Sequence, residues 1–291
     1  MDKPIKGTIL VALSGVFYGT IGYFGTILKE EGLSVSDLLL WRFLGSVLLL
    51  LFFVPSFLKE RLSKTQWQTV ILFFVLGALC YGLGTGLYFE SSFMIGTGLA
   101  MVLFFTYPLL VVAYTAFMER RLPSFVTWLS LGLIIMGCCM IGLGDRAQIN
   151  WVGIFLAVLS GMSYGAYILA SKNRSGILSP LFSTFVVCLG CVAAFVTYIL
   201  YTGQPFYVPR EPRIIWNMFL FSSVGTVLPV LFLLQGVKYI SATKTAIISV
   251  LEPVTVLLVG VLCLSEPVGF LQAIGAVVIL SSALVIQVAR D

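Results

Sequence analysis

The chain has 291 residues, 59% of them hydrophobic and only 10% charged, with a mean hydropathy of +1.08. A soluble domain carries about a quarter charged residues, so a water-soluble enzyme or binding module is excluded. The net charge of +5 sorts by membrane side, as set out below, and makes no case for a nucleic-acid partner.

Apolar stretches on the order of 20 residues, long enough to cross a bilayer, fill most of the chain. Short segments of alternating polarity, the mark of a membrane barrel, are not its pattern. The predicted spans are 5–28, 36–57, 67–89, 95–117, 124–144, 151–171, 179–201, 214–236, 242–264 and 267–288. The first is too long for a signal-peptide core and reads as a retained helix. It contains the heptad Leu13-Ser14-Gly15-x-x-Tyr18-Gly19. The second begins near Trp41-Arg42-Phe43. The third places Tyr81 and Tyr88 on one face with Gly84 and Thr85 between them, and Glu90 near its end. The fourth carries Phe104, Tyr107 and Pro108, and the sixth repeats the heptad as Leu159-Ser160-Gly161-x-x-Tyr164-Gly165. The seventh holds Cys188-x-x-Cys191, two of six cysteines (with Cys80, Cys138, Cys139 and Cys263), all inside spans. The chain has no histidine, and small apolar Cys suits packed helices, so these thiols read as packing and no metal or cofactor is implied.

The second heptad lies 146 residues after the first, while Ser34 and Ser179, like Pro108 and Pro253, are 145 apart. The chain is therefore a duplication, with units expected at 1–146 and 147–291. Five spans per unit is an odd number, so the second unit enters the membrane from the opposite side. The fold class expected is an all-α membrane protein of ten transmembrane helices in two inverted five-helix repeats, an architecture of secondary transporters. With the N terminus cytoplasmic, Lys3, Lys6, Lys59, Arg61, Lys64, Arg120, Arg121, Lys172, Arg174, Lys238, Lys244 and Arg290 fall on or near that side. Only Lys29, Arg146, Arg210 and Arg213 fall outside, with Arg42 just inside its span. The basic excess follows the positive-inside rule, and Trp67, Trp151 and Trp216 stand at span starts where interfacial indoles sit. Both termini are then cytoplasmic in a multi-pass plasma-membrane protein, with a bacterial inner membrane as the expected location.

These residues resemble the EamA family of the drug/metabolite transporter superfamily over nearly the whole chain. The resemblance is carried by the heptads, by Trp41-Arg42-Phe43, by Pro108 and Pro253, and by the glutamates of Met118-Glu119-Arg120 and Ser265-Glu266-Pro267. It implies a ten-helix, alternating-access carrier of small metabolites, whether amino acids, drugs, nucleosides or other solutes. One departure is Val187, which stands where the repeat of Arg42 would be.

An ionisable group in a bilayer costs roughly 3 kcal/mol on insertion scales, so each needs a reason. Glu252 precedes Pro253 mid-way along the ninth span, and Ser241, Thr245, Ser249 and Glu252 form one polar stripe with Thr255 at its edge. Either the stripe is a binding wall beside a helix break, or Glu252 hydrogen-bonds between helices and fixes the fold. Under the repeat, Glu252 maps to Tyr107, Ser249 to Phe104 and Thr245 to Ala100. An aromatic wall (Phe104, Tyr107) is thus expected to face a hydroxylic and acidic one (Thr245, Ser249, Glu252). Tyr18, Tyr164, Tyr81 and Tyr88 extend the aromatic side, or else pack with satisfied hydroxyls. Such walls suit a solute with an amine and an apolar body. Glu252, Glu90, Lys244 and Arg42 are the candidates for a coupling site or gate. For the last three the alternatives are an interfacial carboxylate at Glu90, a snorkelling Lys244, and an Arg42 that snorkels, pairs with Asp37 or supports a neighbouring helix.

The function expected is a secondary transporter of a small amphiphilic metabolite, an amino acid or related amine, across the bilayer through a central cavity. A broad-specificity drug or organic-cation exporter is the alternative. Protons or a counter-solute are the possible coupling partners, and the chain acts as a monomer or homodimer. An enzyme is disfavoured: without histidine there is no Ser–His dyad, and two glutamates at unlike depths do not make an aspartyl-type pair. A channel or a structural assembly protein is the remaining class.

Overall fold

The computed structural model describes residues 3–53, 63–142, 150–264 and 269–288, and all their regular structure is helical. Lys59, Arg61, Arg146, Glu266, Pro267 and Arg290 lie outside the described residues, as do the far ends of the predicted spans 36–57 and 124–144 and the start of 267–288. Within the described residues the ten spans are span 1 (Lys3–Glu30), span 2 (Val35–Leu51), span 3 (Lys64–Ile95), span 4 (Thr97–Glu119), span 5 (Phe125–Gly142), span 6 (Trp151–Asn173), span 7 (Pro180–Thr202), span 8 (Pro212–Gly236), span 9 (Ala242–Cys263) and span 10 (Phe270–Val288). The fold is an all-α membrane protein built as two inverted five-helix repeats. Its outer surface is apolar: Phe117, Leu200 and Leu262 are each more than three-quarters exposed, as lipid-facing side chains must be. Trp67, Trp151 and Trp216 are also exposed, at span starts.

The repeats exchange partners. Span 1 packs along the second half of span 8, and span 6 along the second half of span 3. Spans 2 and 7 pack on each other, as do spans 5 and 10. The last pair meets at Gly137 and Gly275, where a methyl on either glycine would lie 2.8 or 2.7 Å from the other's carbonyl oxygen. That close approach is the small-residue packing on which membrane helices depend.

Local chemistry at the span starts also follows the repeat. The Ser34 and Ser179 hydroxyls accept the backbone N–H of Asp37 (3.1 Å) and Phe182 (3.3 Å), capping spans 2 and 7. Five spans are irregular near their middles. Span 1 turns at Gly19–Thr20, span 4 at Phe105–Thr106, and span 9 tightens into a 3₁₀ turn at Ser249–Leu251. Spans 3 and 8 each contain a π-helical stretch, Leu76–Gly82 and Ser223–Val227.

Proline explains the breaks in spans 4 and 9. It has no N–H to donate to the carbonyl four residues back and its ring crowds that carbonyl. For Pro108 that carbonyl is Phe104's, and for Pro253 it is Ser249's. These are the two oxygens onto which the heptad glycines pack. A methyl on Gly161 would lie 2.6 Å from the Phe104 oxygen, and one on Gly15 3.1 Å from the Ser249 oxygen. Beside them, Ser160 donates to the Gly84 carbonyl (2.7 Å) and Ser14 to the Pro229 carbonyl (2.8 Å), again equivalent positions. The duplicated motif is thus a docking device, with serine pinning the third span of the other repeat and glycine admitting the broken fourth span.

Candidate functional site

The docking leaves a central cavity between the repeats, whose narrow part has a volume of about 60 Å³. At roughly 15 Å³ per water that narrow part holds a few waters, so a bulkier solute requires its rings to part. Span 1 contributes Tyr18 and Ile21, span 2 Arg42, span 4 Phe104, span 6 Ser160 and Tyr164, and span 9 Glu252. Span 3 contributes most, with Cys80, Tyr81, Gly84, Thr85, Tyr88 and Phe89. At 1.5 Å per residue, Arg42 and Phe104 sit about 10 Å in from the face opposite the N terminus, and Glu252 about 15 Å in from the N-terminal face. The cavity therefore occupies the region from mid-membrane toward the face opposite the N terminus.

The aromatic lining follows from the heptads. The paired Tyr18 and Tyr164 meet edge-on across the repeat axis, 6.3 Å between centroids. Tyr164 also lies 5.6 Å from Phe104 and 5.0 Å from Tyr107, and Phe104 lies 5.3 Å from Tyr88. The Tyr164 hydroxyl is buried and has no hydrogen-bond partner in the protein.

Arg42 is fully buried, so it neither snorkels nor reaches Asp37, which instead accepts from Ser34 (2.6 Å) and the Tyr207 N–H (3.2 Å). Its guanidinium is held by span 8. Nε donates to Thr226 Oγ1 at 2.6 Å and Nη2 to the Gly225 carbonyl at 3.0 Å, with a longer contact to Tyr81 Oη at 3.4 Å. The Gly225 carbonyl is four residues before Pro229 and so has lost its helical donor to that proline. The rings of Phe43 and Phe221 lie 5.1 and 4.8 Å from the guanidinium carbon, within cation–π range. Nη1 is buried with no hydrogen-bond partner among the described residues. Among the described residues no carboxylate pairs with Arg42 within 4.0 Å.

Glu252 starts the helix that resumes after the break in span 9, the end at which a helix dipole favours a carboxylate. Tyr107 holds the equivalent place in span 4. Its ring is not on the cavity wall: it is fully buried below, and its hydroxyl donates to the Ala246 carbonyl of span 9 at 3.1 Å. Thr245 and Ser249 are likewise packed away, their hydroxyls donating to the Ser241 and Thr245 carbonyls at 2.9 and 2.8 Å. This back-bonding is what hydroxyls do when a helix buries them without a partner. The expected two-wall arrangement is therefore replaced by one wall of rings with Glu252 and Arg42 set into it. The lower parts of spans 4 and 9, joined by the Tyr107 bond, close the cavity toward the N-terminal face.

Glu90 is exposed and Lys244 half-buried in the first turn of span 9, and neither lines the cavity. Cys191 is buried between spans 7 and 3, its Sγ donating to the Gly77 carbonyl at 3.1 Å, and Cys188 is buried against Val47 and Leu50 of span 2, as packing thiols would be. Cys80, read from sequence as a packing thiol, lines the cavity, as do Phe89 and Ile21, which the sequence did not single out. For Phe89 a signal exists, since it follows Tyr88 and its ring covers Gly25 of span 1.

The sequence profile of the EamA-like transporter family matches residues 5–143 and 151–288. The chain is 24% identical over 94% of its length to the Uncharacterized transporter YcbK of Bacillus subtilis, covering 90% of that protein. It is 27% identical to an uncharacterized transporter of Archaeoglobus fulgidus (96% and 95% covered) and 25% to the Uncharacterized inner membrane transporter YicL of Salmonella typhimurium (99% and 97% covered). A solved crystal structure superposes with a TM-score of 0.79 over 97% of this chain and 98% of its own, at 15% identity, a likeness of fold.

Proposed function

The chain belongs to the EamA-like transporter family, and from that membership and the central cavity we infer a secondary transporter of a small amphiphilic metabolite, an amino acid or related amine, working by alternating access. One observation carries the reading: both repeats line one cavity near mid-membrane, walled by rings and holding the Glu252 carboxylate. Such a site receives an ammonium group at the carboxylate and an apolar body on the rings.

The inverted repeat supplies the transport cycle. The cavity lies beneath the face opposite the N terminus and is sealed from the N-terminal face by Tyr107 against Ala246. Exchanging the conformations of the two repeats opens it to the other side, the rocking expected of inverted-repeat carriers. The basic residues orient the N-terminal face to the cytoplasm of a plasma membrane, a bacterial inner membrane in our reading, with units dividing near residue 146. Movement is coupled to protons or to a counter-solute.

Counterflow in liposomes tests this. Purified protein is expected to exchange labelled leucine or 3-methylbutylamine saturably, Glu252→Ala to abolish exchange, and Tyr107→Phe to retain it. Unchanged exchange in Glu252→Ala removes the basis of the reading. Preference for cationic dyes over both probes would assign the chain to drug export instead.

A further inference from the structure

We propose that Arg42 is a carboxylate-binding residue, so that the transported solute is a zwitterion with an apolar side chain rather than a simple amine or organic cation. The proposal rests on the reading of the cavity as the transport site and narrows its substrate class.

The guanidinium has five N–H donors in a rigid fork. Three contacts from Nε and Nη2 fix its position against Thr226, Gly225 and Tyr81, while Nη1 is left without a hydrogen-bond partner among the described residues. Burying a cation without a carboxylate costs several kcal/mol. A purely architectural side chain at this place would be satisfied by its neighbours. Arg42 instead lines the cavity together with Glu252, and the guanidinium and the carboxyl group are not paired with each other within 4.0 Å. A solute carrying both an ammonium and a carboxylate neutralises both at once, and the buried Tyr164 hydroxyl offers a further donor on the same wall.

The repeats point the same way. The equivalent of Arg42 is Val187, and the equivalents of Thr226, Gly225 and Pro229 are Tyr81, Cys80 and Gly84. The cation and its seat therefore exist once, the cation in the first half and both its seat and Glu252 in the second, while the docking serines and glycines exist twice. An element of the frame would be expected in both copies.

The test uses the purified full chain and four probes of one carbon skeleton: leucine, leucinamide, 3-methylbutylamine and 4-methylpentanoate. Equilibrium binding by calorimetry is expected to rank leucine at least tenfold tighter than leucinamide and 3-methylbutylamine. In Arg42→Gln, leucine is expected to fall to the level of leucinamide while 3-methylbutylamine is unchanged. Equal binding of leucine and 3-methylbutylamine by the unmodified protein overturns the proposal and leaves the amine site standing. An equal loss of all probes in a folded Arg42→Gln protein also overturns it, by assigning Arg42 to architecture. If Arg42→Gln does not fold, the ranking in the unmodified protein decides. Binding of none of the probes by folded protein defeats the underlying transport-site reading and this proposal with it.

Discussion

Gly15 and Gly161 occupy the same place in the same motif, yet adding a methyl group is expected to have unequal consequences at the two. On Gly161 the new carbon would stand 2.6 Å from the Phe104 carbonyl oxygen, and on Gly15 3.1 Å from that of Ser249. A carbon–oxygen contact settles at about 3.3 Å or more, so the backbones must separate by about 0.7 Å in the first case and about 0.2 Å in the second. Overpacking a close-packed interface costs about 1–3 kcal/mol, whereas replacing glycine within a helix regains about 0.5–1 kcal/mol. Gly161→Ala is therefore expected to lose about 1–2 kcal/mol, and Gly15→Ala to be near neutral. At about 2–4 °C per kcal/mol for a chain of this order, Gly161→Ala melts about 2–8 °C below the unmodified protein. Tryptophan-fluorescence melts in detergent measure this. The same displacement moves Phe104 against Tyr88 and Tyr164, so ligand affinity falls with stability. A Gly161→Ala protein that melts at or above the parent, or a Gly15→Ala protein that is the more damaged, would refute the docking described for the two breaks.

Three further expectations rest on separate contacts. Ser14→Ala and Ser160→Ala each remove one buried hydrogen bond, worth on average about 0.6 and at most about 1.7 kcal/mol in a membrane protein; the double variant should show the sum within about 0.5 kcal/mol in the same melts, because the bonds join different pairs of spans. Tyr107→Phe removes the hydroxyl joining spans 4 and 9, so labelling of Cys80 by a polar maleimide, followed by peptide mass spectrometry, should rise severalfold; unchanged labelling would show that this bond does not seal the cavity. Pro229→Ala restores an N–H that competes with Arg42 for the Gly225 carbonyl, and is expected to weaken the binding of leucine more than that of 3-methylbutylamine in calorimetry, with equal effects counting against the seat described for Arg42.

Much of the frame was legible from residue spacing because it is local or repeated. The ten spans follow from hydropathy, the inversion from an odd number of spans per copy, and the close approaches from glycine and serine at matched places. Residue spacing also brought Tyr18, Tyr81, Tyr88, Phe104, Tyr164, Arg42 and Glu252 to notice, and these seven line one cavity. The polar stripe of span 9 was less informative. Periodicity places Thr245, Ser249 and Glu252 along the helix, but a hydroxyl that can bond the carbonyl one turn back needs no cavity. The position of Tyr107, one turn past the wall, depends on the helix break itself. Arg42 was the least legible. Its partners are about 184 residues away in the chain, and the carbonyl that receives it is free because of a proline in another span. No pattern local to Trp41-Arg42-Phe43 carries that information.

On the transport reading proposed above, the distribution of matched and unmatched positions separates the moving frame from the recognition site. An inverted-repeat carrier needs its two halves to be alike wherever they dock, since each conformation is the mirror of the other in which the halves exchange roles. Ser14 and Ser160, Gly15 and Gly161, and Pro108 and Pro253 meet that need, each pair making equivalent contacts or breaks. A solute with distinct ends imposes the reverse condition. If Arg42 were repeated at 187 and Glu252 at 107, the site would hold two cations and two carboxylates, and a single ammonium and carboxylate would leave one of each buried and unpaired. That penalty is avoided when each charge occurs once and in different halves: Arg42 opposite Val187, Glu252 opposite Tyr107. The tyrosine that replaces the second carboxylate is also the residue whose hydroxyl closes the cavity toward the N-terminal face. On the proposed reading, one departure from symmetry thus both removes a surplus charge and supplies a latch, which ties the choice of solute to the conformation that holds it.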